Sequence, residues 1–496
     1  MPANAVSTLI RRFFGGSKRL AATALYGMSN FLPRMMNSGL KLSFVAAFSV
    51  GQYGRFGIMV VLISLLGILL DLGVPQAVLR DYYDRLGDQD ATRAYLQSML
   101  LGASAICIAM LPPIGIAFYY TAPLLHVPQT GILKFTLLIL AIAFIDRAVG
   151  ILSIIFVAAE QPGRYAAGPT TGALAAILAG VVFVFVWHKG VPGAMFALLA
   201  GRLVTLAVYL TLFRRHYGVA RMHIDWRSVS RGLHYGLPLV PTRLAFWGRE
   251  AGLRPALASF ANLAAAGLFS FASSIASLPL MVTSAVDQLL APHYFKRRTQ
   301  DTPGFIARVR GFREVYLAML MPLWAGAILF CREAILLVGG ARYALAVPIC
   351  MALLCASFVR VQQPNHTRQV NYLRKTWINP LVTVPSAVLS LTLALLIARY
   401  YNIAYAGWAV WIAEILLYLA YAACLRLIEP VQEPVTLVVG HALFLAALAA
   451  WLTTFGAHSN VMQLAVKLCV LLVIVGTSFL RWIWPNRVFI QAILRG

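Results

Sequence analysis

Acidic side chains are scarce in this chain, with 16 Asp+Glu against 41 Lys+Arg in 496 residues. Charge of either sign is scarce too, at 11% of residues, less than half the share usual in soluble globular proteins. A soluble chain of this length would divide into several domains with charged surfaces, and there is too little charge here to cover them. The six cysteines (Cys107, Cys331, Cys350, Cys355, Cys424 and Cys469) include no Cys-x-x-Cys pair, so neither a zinc site nor a redox dithiol is indicated. No Gly-x-x-x-x-Gly-Lys loop occurs, which argues against an ATPase of the chain's own. None of the nine histidines has metal-ligand spacing with a second ligand, so no metal or cofactor is expected.

Apolar sequence fills the space that charge leaves. The hydrophobic class makes up 60% of residues and the mean hydropathy is +0.79, as in a polytopic membrane protein. A net charge of +25 would suggest a nucleic-acid partner in a soluble chain. Here the basic residues separate apolar runs and set membrane topology instead, so no nucleic acid is expected. A membrane-crossing helix needs about 20 apolar residues. Runs of this kind predict 14 spans, at 21–45, 55–78, 94–121, 132–158, 168–187, 193–213, 232–254, 264–291, 314–331, 343–360, 376–398, 405–425, 434–456 and 462–480. Each must be helical, because an unpaired backbone amide in lipid costs several kcal/mol.

Orientation follows from the loops. With edge residues counted to the nearer loop and the N-terminus inside, 27 Lys+Arg fall on the cytoplasmic side and 7 on the opposite side. This bias places both termini in the cytoplasm. Arg11, Arg12, Lys18 and Arg19 resemble the start of a signal peptide, but the following stretch is too long, contains Arg34 and lacks a small-residue cleavage site. Residues 1–20 read as a basic cytoplasmic segment.

An internal repeat is also legible. Tyr26, Gly27 and Arg34 match Tyr235, Gly236 and Arg243 at a constant offset. Gly54-Arg55-Phe56 matches Gly267-Leu268-Phe269 after a small insertion. Six spans separate the two starts, so the repeats are parallel, related by an axis along the membrane normal. The predicted fold is all-α: an N-lobe at 21–213, a basic linker at 214–231 and a C-lobe at 232–426. These are two six-helix lobes with a pseudo-twofold. Residues 427–496 add two further helices and a cytoplasmic C-terminus.

The loops exclude more than they offer. None is long enough for a soluble catalytic domain, so no enzyme activity is expected. Asp88-Gln89-Asp90 is the metal-binding triplet of many sugar transferases, but it stands among mixed charges on a solvated loop. Asn365-His366-Thr367 matches a glycosylation sequon, yet the topology puts it inside.

Ionisable groups within spans are the candidate functional residues, since each costs about 2.5–3.5 kcal/mol at the bilayer centre. Arg34, Arg147, Arg202 and Arg243 lie too deep to snorkel easily. With Lys41 and Arg249 they suggest a hydrated cationic cavity that takes an anionic cargo, and the planar donor fork of Arg suits phosphate. Asp71, Asp146, Glu250 and Asp287 are the acids placed to pair with these cations or to carry a coupling proton. The plain alternative is that all are helix-packing ions, a reading favoured for Lys41, Arg254, Asp287 and Lys467 near span ends.

Two stretches carry a resemblance: Gly51-Gln52-Tyr53-Gly54-Arg55-Phe56-Gly57, and Asp71-Leu72-Gly73-Val74-Pro75-Gln76-Ala77-Val78-Leu79-Arg80-Asp81-Tyr82-Tyr83. They are similar to the first repeat of Wzx-type polysaccharide and O-antigen flippases. These belong to the multidrug/oligosaccharidyl-lipid/polysaccharide exporter superfamily. The resemblance implies a V-shaped pair of lobes in the bacterial inner membrane, working by alternating access. It implies a cargo of undecaprenyl-pyrophosphate-linked oligosaccharide, moved from the cytoplasmic to the periplasmic leaflet for exopolysaccharide or O-antigen synthesis. A polysaccharide polymerase and a chain-length regulator are the implied partners, beside membrane lipids. Multidrug exporters of the superfamily carry an acid in the first span, where this chain has Arg34 and Lys41. Peptidoglycan-precursor flippases share the span count and a cationic cavity. A membrane-embedded glycosyltransferase is the rival of a different class.

Overall fold

The structure is a computed structural model. It describes residues 18–83, 89–121, 123, 131–159, 161–218, 224–284, 302–373, 375, 377–428, 434–455 and 461–480. Among the described residues there are helices and no strands. Ten helices are long and apolar enough to cross a bilayer, or eleven if Arg313–Leu329 and Cys331–Gly339, bent by 51°, form one span. Every one of the ten falls on an expected span. The chain is a multi-pass helical membrane protein.

The described chain forms two compact units, Met1–Ser270 and Phe271–Gly496. Unit 1 holds α1 (Lys18–Ala47), α2 (Val50–Asp71), α3 (Val74–Tyr83), α4 (Gln89–Thr121), α5 (Ile132–Ala158), α6 (Pro162–Gly180) and α7 (Gly190–Tyr217). It continues with α8 (Trp226–Gly236), α9 (Val240–Glu250), α10 (Leu253–Phe260) and the start of α11 (Leu263–Ala276). Two expectations need correction. The second span, 55–78, stops as a helix at Asp71, and the chain restarts at Val74. The seventh span, 232–254, is not one continuous helix but is divided among α8, α9 and α10, with a 3-10 turn at Leu237–Leu239. Pro238 and Pro241 remove backbone donors at the first joint, and Ala251 leaves helical geometry at the second.

α2 shows how the first quoted motif works. Ser49 caps it through a capping box, its Oγ accepting from the Gln52 N–H at 3.3 Å while its own N–H donates to Gln52 Oε1 at 2.9 Å. Tyr53 and Phe56 are buried. Gly54 packs backbone to backbone on Gly267: a Cβ at Gly54 would collide with the Leu263 carbonyl and Gly267, and a Cβ at Gly267 with the Val50 carbonyl. The two glycines that the repeat makes equivalent therefore touch each other. Only residues without a side chain permit that approach.

The second motif ends α2. Leu72 (φ 51°) and Gly73 (φ 72°) are both left-handed, and the chain restarts as α3. At Gly73 the backbone of Gly236 lies so close that no Cβ fits. Segment 236–270 thus runs beside α2 from Gly73 to Gly54, which is why unit 1 extends beyond the 214–231 linker.

Unit 2 holds α12 (Thr302–Leu329), α13 (Cys331–Gly339), α14 (Ala346–Arg360), α15 (Gln363–Tyr372), α16 (Ile378–Tyr400), α17 (Ala406–Arg426), α18 (Val435–Phe455) and α19 (Val461–Ser478). α14 is its axis, buried from Ile349 through Val359. Trp324 Nε1 donates to Ser357 Oγ at 2.8 Å, satisfying the indole of a fully buried side chain.

Candidate functional site

The close approach of Gly73 to Gly236 determines what meets at the end of α2. Asp71 lies two residues before Gly73. Arg243 lies seven after Gly236, roughly 10 Å along a helix at 1.5 Å per residue. The Asp71 carboxylate accepts from Arg243 Nη1 in a salt bridge. One turn further along α9, Trp247 Nε1 donates to the Val61 carbonyl at 3.2 Å and Ser64 Oγ at 3.0 Å. These bonds fasten α9 along α2.

Asp71 also lies within electrostatic reach of Arg147 on α5. Arg147 is 2% exposed and donates through Nη1 to Ser104 Oγ at 2.9 Å. Its Nε and Nη2 are buried without a hydrogen-bond partner. Cys107, one turn along α4 from Ser104, completes the wall, its thiol donating to the Leu70 carbonyl at 2.8 Å. Among the described residues the Asp71 carboxylate is paired with Arg243 alone, and Arg147 bonds Ser104 instead.

A second cluster lies on another face of α5. Asp146 pairs with Arg202 of α7 at 2.7 Å. Lys41 of α1 feels both groups and also Arg254. This site is more open at its carboxylate, with the Asp146 side chain 26% exposed against 10% for Asp71, while the two arginines differ less, at 43% for Arg202 and 34% for Arg243. Small residues make room for it: Gly172 of α6 lies against the Gly201 carbonyl and Thr205 of α7, bringing the two helices into backbone contact beside Arg202.

The remaining candidates separate. Arg34 is exposed on α1. The repeat makes it the counterpart of Arg243, yet among the described residues only Arg243 of the two has a carboxylate against it. Arg249 is 4% exposed, its guanidinium 5.5 Å from the centre of the Phe246 ring. The Glu250 side chain, Asp287 and Asp88 lie outside the described residues.

The sequence reading passed over a third charged pair, in unit 2. Arg360 and Glu414 meet at 2.7 Å, with Glu414 2% exposed. Glu414 stands in the middle of the expected span 405–425, so the rule that selected Asp146 would have found it. Nearby, His366 is buried with its ring stacked on Tyr421, whose hydroxyl donates to Asn379 Oδ1 at 3.0 Å. Lys467, read as a packing ion, pairs with Glu333 at 2.5 Å.

The fold resembles that of solved transporters. A structure of lipid II flippase MurJ in an inward-closed conformation superposes with a TM-score of 0.70 over 92% of this chain and 99% of that one, at 13% identity. A point mutant of the Vibrio cholerae MATE transporter VcmN gives a TM-score of 0.56 over 88% of this chain and 99% of that one, at 15% identity. An inward-facing multidrug resistance MATE transporter of the MOP superfamily gives 0.53 over 90% of this chain and 98% of that one, at 15% identity. Among curated proteins none matches in sequence. A family model described as "Polysaccharide biosynthesis protein" matches residues 48–348, more than half of the chain and inclusive of both quoted motifs. The chain belongs to this polysaccharide biosynthesis protein family, and it has the fold of the flippases and exporters of the MOP superfamily.

Proposed function

We propose that the chain is a flippase for an undecaprenyl-pyrophosphate-linked oligosaccharide. It carries the glycan and pyrophosphate from the cytoplasmic to the periplasmic leaflet of the bacterial inner membrane by alternating access, while the lipid tail stays in the bilayer. Both termini are cytoplasmic. The observation that carries this reading is the charge held inside the spans of unit 1. Among the described residues Asp146 is paired with Arg202 and Asp71 with Arg243, while Lys41 and Arg147 stand within electrostatic reach of these pairs. Ionisable groups kept within membrane-spanning helices mark cargo or ion sites, and a pyrophosphate offers several acceptor oxygens to an Arg fork.

Arg202 and Lys41 are the proposed first contacts with the pyrophosphate, because their cluster is the open one. Arg34 adds exposed positive charge. Arg147, Arg243 and Arg249 act deeper. Asp146 holds Arg202 in place until phosphate oxygens replace its carboxylate. No covalent bond changes in this cycle. A polysaccharide polymerase and a chain-length regulator are the proposed downstream partners.

The test is translocation in proteoliposomes. A fluorescent undecaprenyl-pyrophosphate oligosaccharide is expected to flip, and the same lipid with its pyrophosphate replaced by a neutral ether is not. Equal transport of both would overturn the reading. Transport of lipid II in preference to the oligosaccharide lipid would move the chain to the peptidoglycan-precursor branch. Transport of a cationic drug alone would move it to the multidrug branch.

A further inference from the structure

α8, Trp226–Gly236, joins two groups of membrane helices and has two unlike faces. Val229, Gly232 and Gly236 are buried at spacings of three and four residues. Val229 belongs to the core of unit 1, and Gly232 lies against Met99 and Ala77. This face docks the helix on α3 and α4. The other face bears Arg227, Arg231 and His234 on one stripe, at four- and three-residue steps, with Trp226 and Ser230 beside it. These five residues line an open concavity of about 550 Å³. Trp226 is 54% exposed.

The concavity presents donors: two guanidinium groups, an indole N–H, a hydroxyl and an imidazole. Among the described residues no carboxylate lines it. The adjacent acid, Asp225, is turned to capping. Its oxygens accept from the Arg227 backbone N–H at 3.0 Å and from Ser228 Oγ at 2.6 Å. The depth of the helix is fixed by its neighbours. α7 ends in Arg214, Arg215 and His216, the basic rim of a span, and Leu237, 49% exposed, follows α8 directly. A basic helix with an outward Trp, held at the rim of a span, matches the headgroup layer of a membrane in charge and in polarity.

We propose that this face of α8 is a binding site for anionic phospholipid headgroups of the leaflet at that rim. Arg227 and Arg231 hold the phosphate diester, and Trp226 sits at the headgroup–acyl boundary. The site is separate from the charge clusters around Asp71 and Asp146 and does not depend on their role.

The test is native mass spectrometry of the full-length protein in a neutral detergent, with equimolar phosphatidylglycerol and phosphatidylcholine. The wild type is expected to retain phosphatidylglycerol preferentially. A basic residue near an anionic surface contributes roughly fivefold, so R227Q/R231Q is expected to weaken retention roughly 25-fold. R227K/R231K, which keeps the charge, is expected to retain most of it. R342Q/R399Q, which changes two arginines elsewhere, is expected to leave it unchanged. Undiminished preference in a monodisperse R227Q/R231Q protein overturns the proposal. Displacement of the lipid by inorganic phosphate as readily as by short-chain phosphatidylglycerol overturns it in favour of a soluble anion. Displacement by polyglutamate overturns it in favour of an acidic protein partner.

Discussion

Two carboxylates in unit 1 are each paired with an arginine, and they differ in access. Asp71 is walled in by the α2 break, Arg243 and the buried Arg147, and its side chain is 10% exposed. Asp146 is paired with Arg202, with Lys41 in electrostatic reach, on a face where the Arg202 side chain is 43% exposed. Removing one partner of a buried pair leaves an uncompensated charge, at about 3–5 kcal/mol, whereas an exposed pair contributes about 0–1 kcal/mol. The same chemistry is thus set in two surroundings, and the proposed function asks more of the exposed pair than of the buried carboxylate.

Asp71→Asn is the change expected to separate the clusters most sharply, with a loss of about 3–5 kcal/mol in thermal unfolding of the purified protein. Adding Arg243→Met is expected to recover some of that loss. Wild-type stability in Asp71→Asn would erase the distinction. Gly54→Ala comes next. Its methyl group must push the backbones apart at the Gly267 crossing, at about 1–3 kcal/mol, and the same assay reads it. Trp247→Phe deletes the donor to Val61 and Ser64 and is expected to cost about 0.5–1.5 kcal/mol. Arg202→Ala tests the open cluster. Stability is expected to fall by less than about 1 kcal/mol, while proteoliposome translocation is largely abolished, and Arg202→Lys restores some of it. A stability loss matching that of Asp71→Asn would make both clusters clamps.

The smallest effect is expected at Asp225, outside the spans. The Ser228 hydroxyl and the Arg227 N–H hold its carboxylate below the usual range. A depressed folded-state pKa contributes stability above the unfolded pKa and loses it as pH falls through the folded value. The small gap between wild type and Asp225→Ala in thermal unfolding is therefore expected at neutral pH and should close in acid.

Much of the fold was legible because lipid imposes a simple rule of length and polarity. The span at 132–158 coincides with Ile132–Ala158 and that at 21–45 lies within three residues of Lys18–Ala47 at both ends, whereas that at 314–331 starts 12 residues into Thr302–Leu329. The seventh span was misread because hydropathy registers burial and not backbone donors. Its prolines and Ala251 break the helix without making it polar. At the site, depth in a span identified the right class of residue but not its partner. Nothing local ties Asp71 to Arg243, 172 positions away. That contact depends on the Gly73–Gly236 approach, which only three-dimensional packing reveals. Arg34 and Arg243 look equivalent in sequence, yet among the described residues only Arg243 has a carboxylate against it.

Asp146 and Arg147 are consecutive residues of α5, so their side chains point about 100° apart around one axis. An α-helix has no slack between neighbours, since its hydrogen bonds fix the turn from each residue to the next. α5 is therefore built like a camshaft with two lobes. A rotation that draws Asp146 away from Arg202 turns Arg147 through the same angle beside Asp71. Asp146 and Arg147 are thus coupled through one rigid helix, and neither side chain can be swung about that axis alone.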